Sequence, residues 1–200
     1  MADLIGVFGG TFDPPHLGHL ILAEEARLQL GLSRVLWVVS GVPPHKPGWP
    51  ISAVDDRLAM VKLAIEDNPT FQVSRVDIDR QPPHYSYETL AILAGHFPSS
   101  KLVFLMGSDS LRDLNTWEDP EAVIARSDKI AVYRRPGVEL EMEAIYQAFP
   151  PLRSKLEFLD TPQVEISGVL IRDRVRQNQS YRYFSTTAVC TYIEQNRLYR

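Results

Sequence analysis

The sequence predicts an α/β fold built on a doubly wound parallel sheet, with a small helical subregion at the C-terminal end. Two observations carry this expectation. Apolar, β-rich runs recur along the chain, each followed by a segment of helical period, and such alternation implies right-handed βαβ crossovers. The run Val35-Leu36-Trp37-Val38-Val39 is unbroken, which suits a strand covered on both faces.

The elements follow in order. Leu4–Phe8 reads as the first strand and His16–Leu30 as its helix, where Leu22, Ala23, Ala26 and Leu30 share one face. Gly31 stands where a left-handed residue ends that helix. Arg34–Ser40 is the second strand. After the proline-rich loop Val42–Pro50, Ser52 is placed to cap a helix from Val54 to Asp67. Phe71–Ile78 alternates as a strand, Ser86–Phe97 has helical period, and Lys101–Met106 is again a strand. Helix Glu121–Arg126, strand Ile130–Tyr133, helix Glu139–Phe149 and strand Leu156–Leu159 continue the pattern. Helices Val169–Arg176 and Thr186–Asn196 close it, with Val189, Tyr192 and Ile193 facing the core. No repeat or low-complexity tract divides the chain. Residues 1–200 are therefore expected to form one domain, with 161–200 as its helical appendix.

Composition narrows the class. Of 200 residues, 44% are apolar and 23% charged, an ordinary globular balance. The net charge of −4 supplies no broad cationic field, so neither nucleic acid nor a membrane surface is an expected partner. A local basic cluster for a small phosphorylated molecule stays open. One cysteine, Cys190, excludes an intramolecular disulfide and a thiolate metal cage. The N-terminus lacks the features of a secretory signal, and no apolar run approaches the roughly 18 residues a membrane span needs. A cytoplasmic location is expected. Oligomeric state is left open, a homo-oligomer included.

Chemistry concentrates in the first strand-to-helix turn, Gly9-Gly10-Thr11-Phe12-Asp13-Pro14-Pro15-His16-Leu17-Gly18-His19. Gly9 and Gly10 end an apolar strand, and their missing β-carbons are expected to let a ligand approach the backbone. The helix that follows directs free N–H groups and the positive end of its dipole at the same space. His16 and His19, three residues apart, project from one side of the first turn. The carboxyl edge of a parallel sheet, at its topological switch point, is where such folds bind nucleotides. Zinc is the competing reading of His-x-x-His, but no third ligand is evident. Helix capping is another. The Gly-Lys-Ser/Thr ending of a P-loop and the glycine spacing of a dinucleotide-binding turn are both missing.

Gly10-Thr11-Phe12-Asp13-Pro14 followed by His16-Leu17-Gly18-His19 resembles the signature of the nucleotidyltransferase superfamily, whose hallmark is T/H-x-G-H. The longer form resembles the bacterial nicotinate-nucleotide adenylyltransferases. The likeness continues through Pro43-Pro44-His45-Lys46-Pro47, Asp56-Arg57-Leu58-Ala59-Met60, Tyr85-Ser86-Tyr87-Glu88-Thr89-Leu90, Gly107-Ser108-Asp109, Trp117, Ile166-Ser167 with Ile171-Arg172, and Arg182-Tyr183 through Leu198-Tyr199.

The resemblance implies a Rossmann-like nucleotidyltransferase fold and adenylyl transfer from ATP to nicotinate mononucleotide, yielding nicotinate adenine dinucleotide and pyrophosphate. It implies that His16, His19 and Arg172 are catalytic around the ATP phosphates. Gly9, Gly10, Thr11, Phe12, Gly18, Asp109 and Ser167 would contact ATP. Thr11 and Lys46 would hold the acceptor's phosphate, Asp109 would accept from nucleotide hydroxyls, and Tyr85, Ser86 and Trp117 would enclose the pyridine ring. Mg²⁺ would be held mainly by substrate phosphates, with no protein metal ligand. Sibling readings are an adenylyl- or cytidylyltransferase with another phosphorylated acceptor, such as nicotinamide mononucleotide or phosphopantetheine; a non-catalytic nucleotide sensor is the reading from another class.

Several residues carry a plainer reading beside the functional one. Trp117 is equally a packed core residue, Ser86 a helix N-cap, and Lys46 a solvated loop residue. Arg57 reads first as a helix-surface or ion-pair residue, and Arg172 shares the basic run Arg172-x-Arg174-x-Arg176 of a solvated helix face. The chain also departs from the family pattern Ile-Ser-Ser-Thr-x-Ile-Arg: Gly168 and Val169 stand where a serine and a threonine are usual, removing two hydroxyl donors. Ser86 stands where threonine is commoner.

Overall fold

The computed structural model describes residues 3–41 and 51–200, and its strands form one parallel sheet in the order β3-β2-β1-β4-β5-β6. The strands are β1 (Asp3–Gly10), β2 (Arg34–Val39), β3 (Phe71–Ser74), β4 (Ser100–Gly107), β5 (Lys129–Tyr133) and β6 (Leu156–Leu159). All five pairings are parallel, from Ile5 opposite Arg34 in the centre to Tyr133 opposite Leu159 at one edge. This is the doubly wound arrangement that the alternating pattern implied.

Alternation along the strands sends side chains to two cores. Phe8, Trp37, Val39, Val103 and Leu105 face one layer, containing α1 (Leu17–Leu30), α2 (Val54–Ile65), α8 (Gly168–Arg176) and α9 (Thr187–Gln195). Ile5, Val7, Leu36, Val38, Phe104 and Met106 face the other, with α3 (Ser86–His96), α5 (Pro120–Arg126) and α7 (Leu152–Lys155). Both faces of β2 are covered, as its uninterrupted apolar run requires.

Helix ends follow local chemistry. Gly31 adopts φ 63° and its N–H turns back to Arg27 and Leu28 carbonyls, closing α1 where expected. Asp119 caps α5 by accepting from the Ala122 N–H, with Pro120 next in line. Thr186 and Ser167 cap α9 and α8 in the same way.

The structure corrects the sequence reading in four places. β3 stops at Ser74, because Ile78 and Asp79 turn back to the Arg75 carbonyl instead of extending the ladder. Ser52 does not cap α2; Ala53 occupies that position, and the Ser52 N–H donates to Asp13 Oδ2 at 3.2 Å. The helix expected over Glu139–Phe149 is shorter, α6 (Met142–Ala148), and none of its residues is buried. α4 (Ser108–Arg112), the 3₁₀ turn Leu114–Thr116 and α7 are too short to leave a periodic signal.

Candidate active site

The sheet reverses winding between β1 and β4, and the turn 11–16 crosses the carboxyl edge there. A cleft of about 800 Å³ opens over this edge. Its walls come from the β1 turn, the start of α3, Trp117, the segment after β5 and the approach to α8.

The two glycines of the turn serve different ends. A β-carbon on Gly9 would meet nothing within 4 Å, so Gly9 leaves its backbone open to the cleft. A β-carbon on Gly10 would lie 2.7 Å from the Phe12 ring. Gly10 therefore makes room for the Phe12 ring, and it lines the cleft as well. Phe12, at φ 50°, turns its ring inward against Phe8, His19 and Trp37 at centroid separations of 5.5, 5.1 and 5.1 Å. At 2% exposure that ring is core; what Phe12 offers the cleft is main chain.

His16 occupies the N-cap of α1, and His19 lies three residues into the helix start. Their rings stack at 3.6 Å between centroids and 27° between planes. The His16 N–H donates to His19 Nδ1 at 3.2 Å. That acceptor nitrogen must lack a proton, so neutral His19 carries its proton on Nε2. Burial, reinforced by the nearby Arg135 charge, pushes the His16 pKa down to about 4. His16 is thus a neutral imidazole near pH 7. Gly18 makes the stack feasible, since a β-carbon there would sit 3.1 Å from His16 Nδ1.

Arg172 and Ser167 reach this turn from α8. Arg172 Nη1 donates to the Asp13 carbonyl at 2.6 Å, and its side chain also lines the cleft. It is therefore neither a solvated-face arginine nor a wholly unengaged phosphate ligand. The Ser167 hydroxyl accepts from the Leu170 N–H at 3.1 Å, which leaves its own proton to donate elsewhere. Val169, at the family's threonine position, is 48% exposed. Gly168 explains its own identity: a β-carbon would lie 2.7 Å from the Asp13 carbonyl oxygen.

Across the cleft, Asp109 lies in the first turn of α4, with Oδ1 3.3 Å from Arg135 Nε. Arg135 also receives its main-chain anchor from Ser108, whose hydroxyl accepts the Arg135 N–H at 2.9 Å. Gly107 lets this pair sit close to the strand end: a β-carbon there would push Asp109 Oδ1 and Arg135 Nε aside. Trp117 is half-buried, meets Phe104 edge-on at 6.2 Å and lines the cleft, so its packing and its exposure to the site coexist. Tyr85, not Ser86, is the N-cap residue of α3; Ser86 is the first helical residue, and both line the cleft. Thr11 lines it too, while its carbonyl accepts from Arg57. Lys46 and the loop Pro43–Pro47 lie outside the described residues.

Sequence reasoning missed three supports. Arg57 is 1% exposed, not on a helix surface, and donates to the carbonyls of Thr11, Ser40, Gly41 and Ser52. Asp77, also buried, accepts from Thr89 Oγ1 at 2.6 Å and from Arg80, bracing the start of α3. Arg134 and Arg135 line the cleft, and their signal was a Tyr-Arg-Arg-Pro run directly after an apolar strand.

A parallel sheet whose switch point carries a histidine pair at a helix N-cap, two guanidiniums and a capping serine defines a nucleotidyltransferase. The model of the cytidylyltransferase-like family matches residues 7–189. A Thermomicrobium roseum protein described as "Probable nicotinate-nucleotide adenylyltransferase" is 43% identical over 196 residues, 98% of this chain and 91% of the relative. A Thermus thermophilus protein with the same description is 42% identical over 98% of this chain and 99% of its own length. The chain belongs to the nicotinate-nucleotide adenylyltransferase family within that larger one. Among solved structures, the Plasmodium falciparum nicotinic acid mononucleotide adenylyltransferase complexed with NaAD shares the fold at TM-score 0.80 and 18% identity, covering 98% of this chain and 97% of that one. Among the described residues, no helix is long and apolar enough to cross a membrane.

Proposed function

We propose that this enzyme transfers the adenylyl group of ATP to nicotinate mononucleotide, releasing pyrophosphate and forming nicotinate adenine dinucleotide. The observation that carries this reading is the stacked His16–His19 pair at the start of α1, which lines the same cleft as the aromatic wall at Trp117. One end suits phosphates and the other a flat ring.

An acceptor phosphate oxygen attacks the α-phosphorus, the bond from that phosphorus to the bridging oxygen breaks, and pyrophosphate departs in line. No covalent enzyme intermediate is needed, so the protein's task is positioning and stabilisation of charge on phosphoryl oxygens. His16, neutral near pH 7, and His19 contribute ring N–H donors. Positive charge comes from Arg172, with Ser167 donating beside it. The open backbone at Gly9, with Thr11, Phe12 and Gly18, shapes the turn that receives the triphosphate. Gly10 supports that turn through Phe12.

Asp109 suits acceptance from nucleotide hydroxyls, and Tyr85, Ser86 and Trp117 suit the pyridine ring, where an aromatic wall offers stacking. Lys46 completes the proposed acceptor site with Thr11. Among the described residues, no group of three or more histidine, cysteine or carboxylate side chains is placed to hold a metal. Imidazoles, guanidiniums and a hydroxyl instead suit phosphate oxygens, which fits a Mg²⁺ ion that enters on the triphosphate. When bound, that ion would draw charge from the phosphoryl oxygens.

The test is a steady-state assay with ATP–Mg²⁺ and, in separate arms, nicotinate mononucleotide, nicotinamide mononucleotide and phosphopantetheine, reading product and pyrophosphate. Preferred turnover of the nicotinate arm is the expected result. Preference for another arm would reassign the acceptor, and pyrophosphate from none would remove the reaction.

A further inference from the structure

Three carbonyls of the turn 11–16 are held by side chains from far along the chain, and the N–H of Leu17 that follows it is held by an equally distant carbonyl. Arg172 takes the Asp13 carbonyl, Ser185 Oγ the Pro15 carbonyl at 2.7 Å, and the Phe184 carbonyl receives the Leu17 N–H at 2.9 Å. Arg57 takes the Thr11 carbonyl at 2.9 Å. The one carboxylate of the turn, Asp13, is 6% exposed and engaged at both oxygens. Tyr199 donates its hydroxyl to Oδ1 at 2.7 Å, and the Ser52 N–H donates to Oδ2 at 3.2 Å.

A carboxylate beside a triphosphate site is a hazard, because like charges repel and the repulsion grows as water is excluded. Here the Asp13 side chain is fixed by two donors, and the Arg57 guanidinium lies within range of its charge. The Tyr199 hydroxyl reaches it from the segment after α9, with Met60 Sδ of α2 3.9 Å away. Burial and the Asp13 charge push the Tyr199 phenol far above its ordinary pKa, so the hydroxyl keeps its proton and remains a donor at any working pH.

Resting on the reading of this cleft as an ATP site, we propose that Tyr199 and Asp13 form a positioning pair, which latches the phosphate turn to the C-terminal segment and keeps the Asp13 carboxylate off the incoming triphosphate. Neither residue contacts the reacting atoms in this role. Their effect runs through the turn that carries Thr11 and His16, and it falls on ATP more than on the acceptor, whose phosphate shares only Thr11 of that turn.

The test is a double-mutant cycle with Tyr199→Phe and Asp13→Asn, reading the Kd of a non-hydrolysable ATP analogue by calorimetry, both KM values, kcat and Tm. Tyr199→Phe keeps the ring and removes only the donor. It should weaken analogue binding and raise the KM for ATP by about tenfold, the scale of one charge-assisted hydrogen bond. The acceptor KM should move less than the KM for ATP. With Asp13→Asn, which removes the charge from the acceptor, the two effects should be non-additive, since each weakens the same contact. A merely structural role would lower kcat through a smaller active fraction and leave both KM values unmoved; that pattern, or strict additivity, overturns the latch. Should Tyr199→Phe fail to fold, Asp13→Asn alone decides: an unchanged analogue Kd overturns the proposal. A wild-type protein that turns over nucleotide, with variants that bind it equally well, defeats the latch alone. A wild-type protein that does not bind the analogue defeats the latch and the proposed function together.

Discussion

Gly168 packs against Asp13 so closely that a β-carbon would stand 2.7 Å from the Asp13 carbonyl oxygen. The same oxygen accepts from Arg172, one turn further along α8. The chain's departure from the serine usual at this position is thus matched to the close seating of α8 on the phosphate turn. Gly168→Ser should not act as a gain of one hydroxyl donor. It should displace the helix start, cost about 1–3 kcal/mol as an overpacked contact does, and raise the KM for ATP. Thermal melting and steady-state kinetics check this; tighter ATP binding with an unchanged Tm would refute it.

His16→Ala should lower kcat by about 10²–10³, the usual loss for one donor aimed at transition-state charge, with the far-UV circular dichroism unchanged. Wild-type turnover in this variant would take His16 out of the mechanism.

The depressed pKa of His16 has a consequence for stability. Its native value is about 4 against an unfolded value of 6.5, so between those limits the unfolded chain binds more protons than the folded one. Stability therefore falls as pH drops through that window and levels off below it, by up to about 3 kcal/mol at 1.36 kcal/mol per unit. Urea unfolding at pH 6.5 and pH 4.5 should show the loss in the wild type and a shallower loss in His16→Gln. Equal slopes in the two proteins would contradict the assignment.

Trp117→Ala should raise the KM for the pyridine mononucleotide much more than that for ATP if the ring serves the proposed acceptor pocket of the cleft it lines. Its packing against Phe104 predicts a modest Tm loss as well. Equal effects on both KM values would defeat the ring-pocket assignment.

Arg57→Met preserves length and removes donors to four main-chain carbonyls. Leaving these acceptors unpaired in a buried place should cost at least about 3 kcal/mol, read as a lower urea midpoint. A loss below about 1 kcal/mol would show that water replaces the guanidinium.

How much of this was legible in the chain depends on distance along it. The parallel sheet and the Gly31 cap were readable because strand burial and helix termination are written in adjacent residues. β3 was overextended by four residues' worth of alternation, because apolar period alone does not reveal where a partner strand ends. Arg57 was misread as a surface residue because its acceptors come from two other loops, and Gly10's role in housing the Phe12 ring was missed because a left-handed Phe12 folds that ring back.

By itself the sequence determined the winding of the sheet, the place of its switch point and the residue types gathered there, since hydrophobic period and glycine, proline and histidine spacing are local properties. Only the tertiary structure decided how the phosphate turn is held: by Arg172, Ser185 and Tyr199 arriving from more than 150 positions away. Those contacts exist because two helices after the last strand fold back over the first one, and no local pattern encodes the geometry of that return.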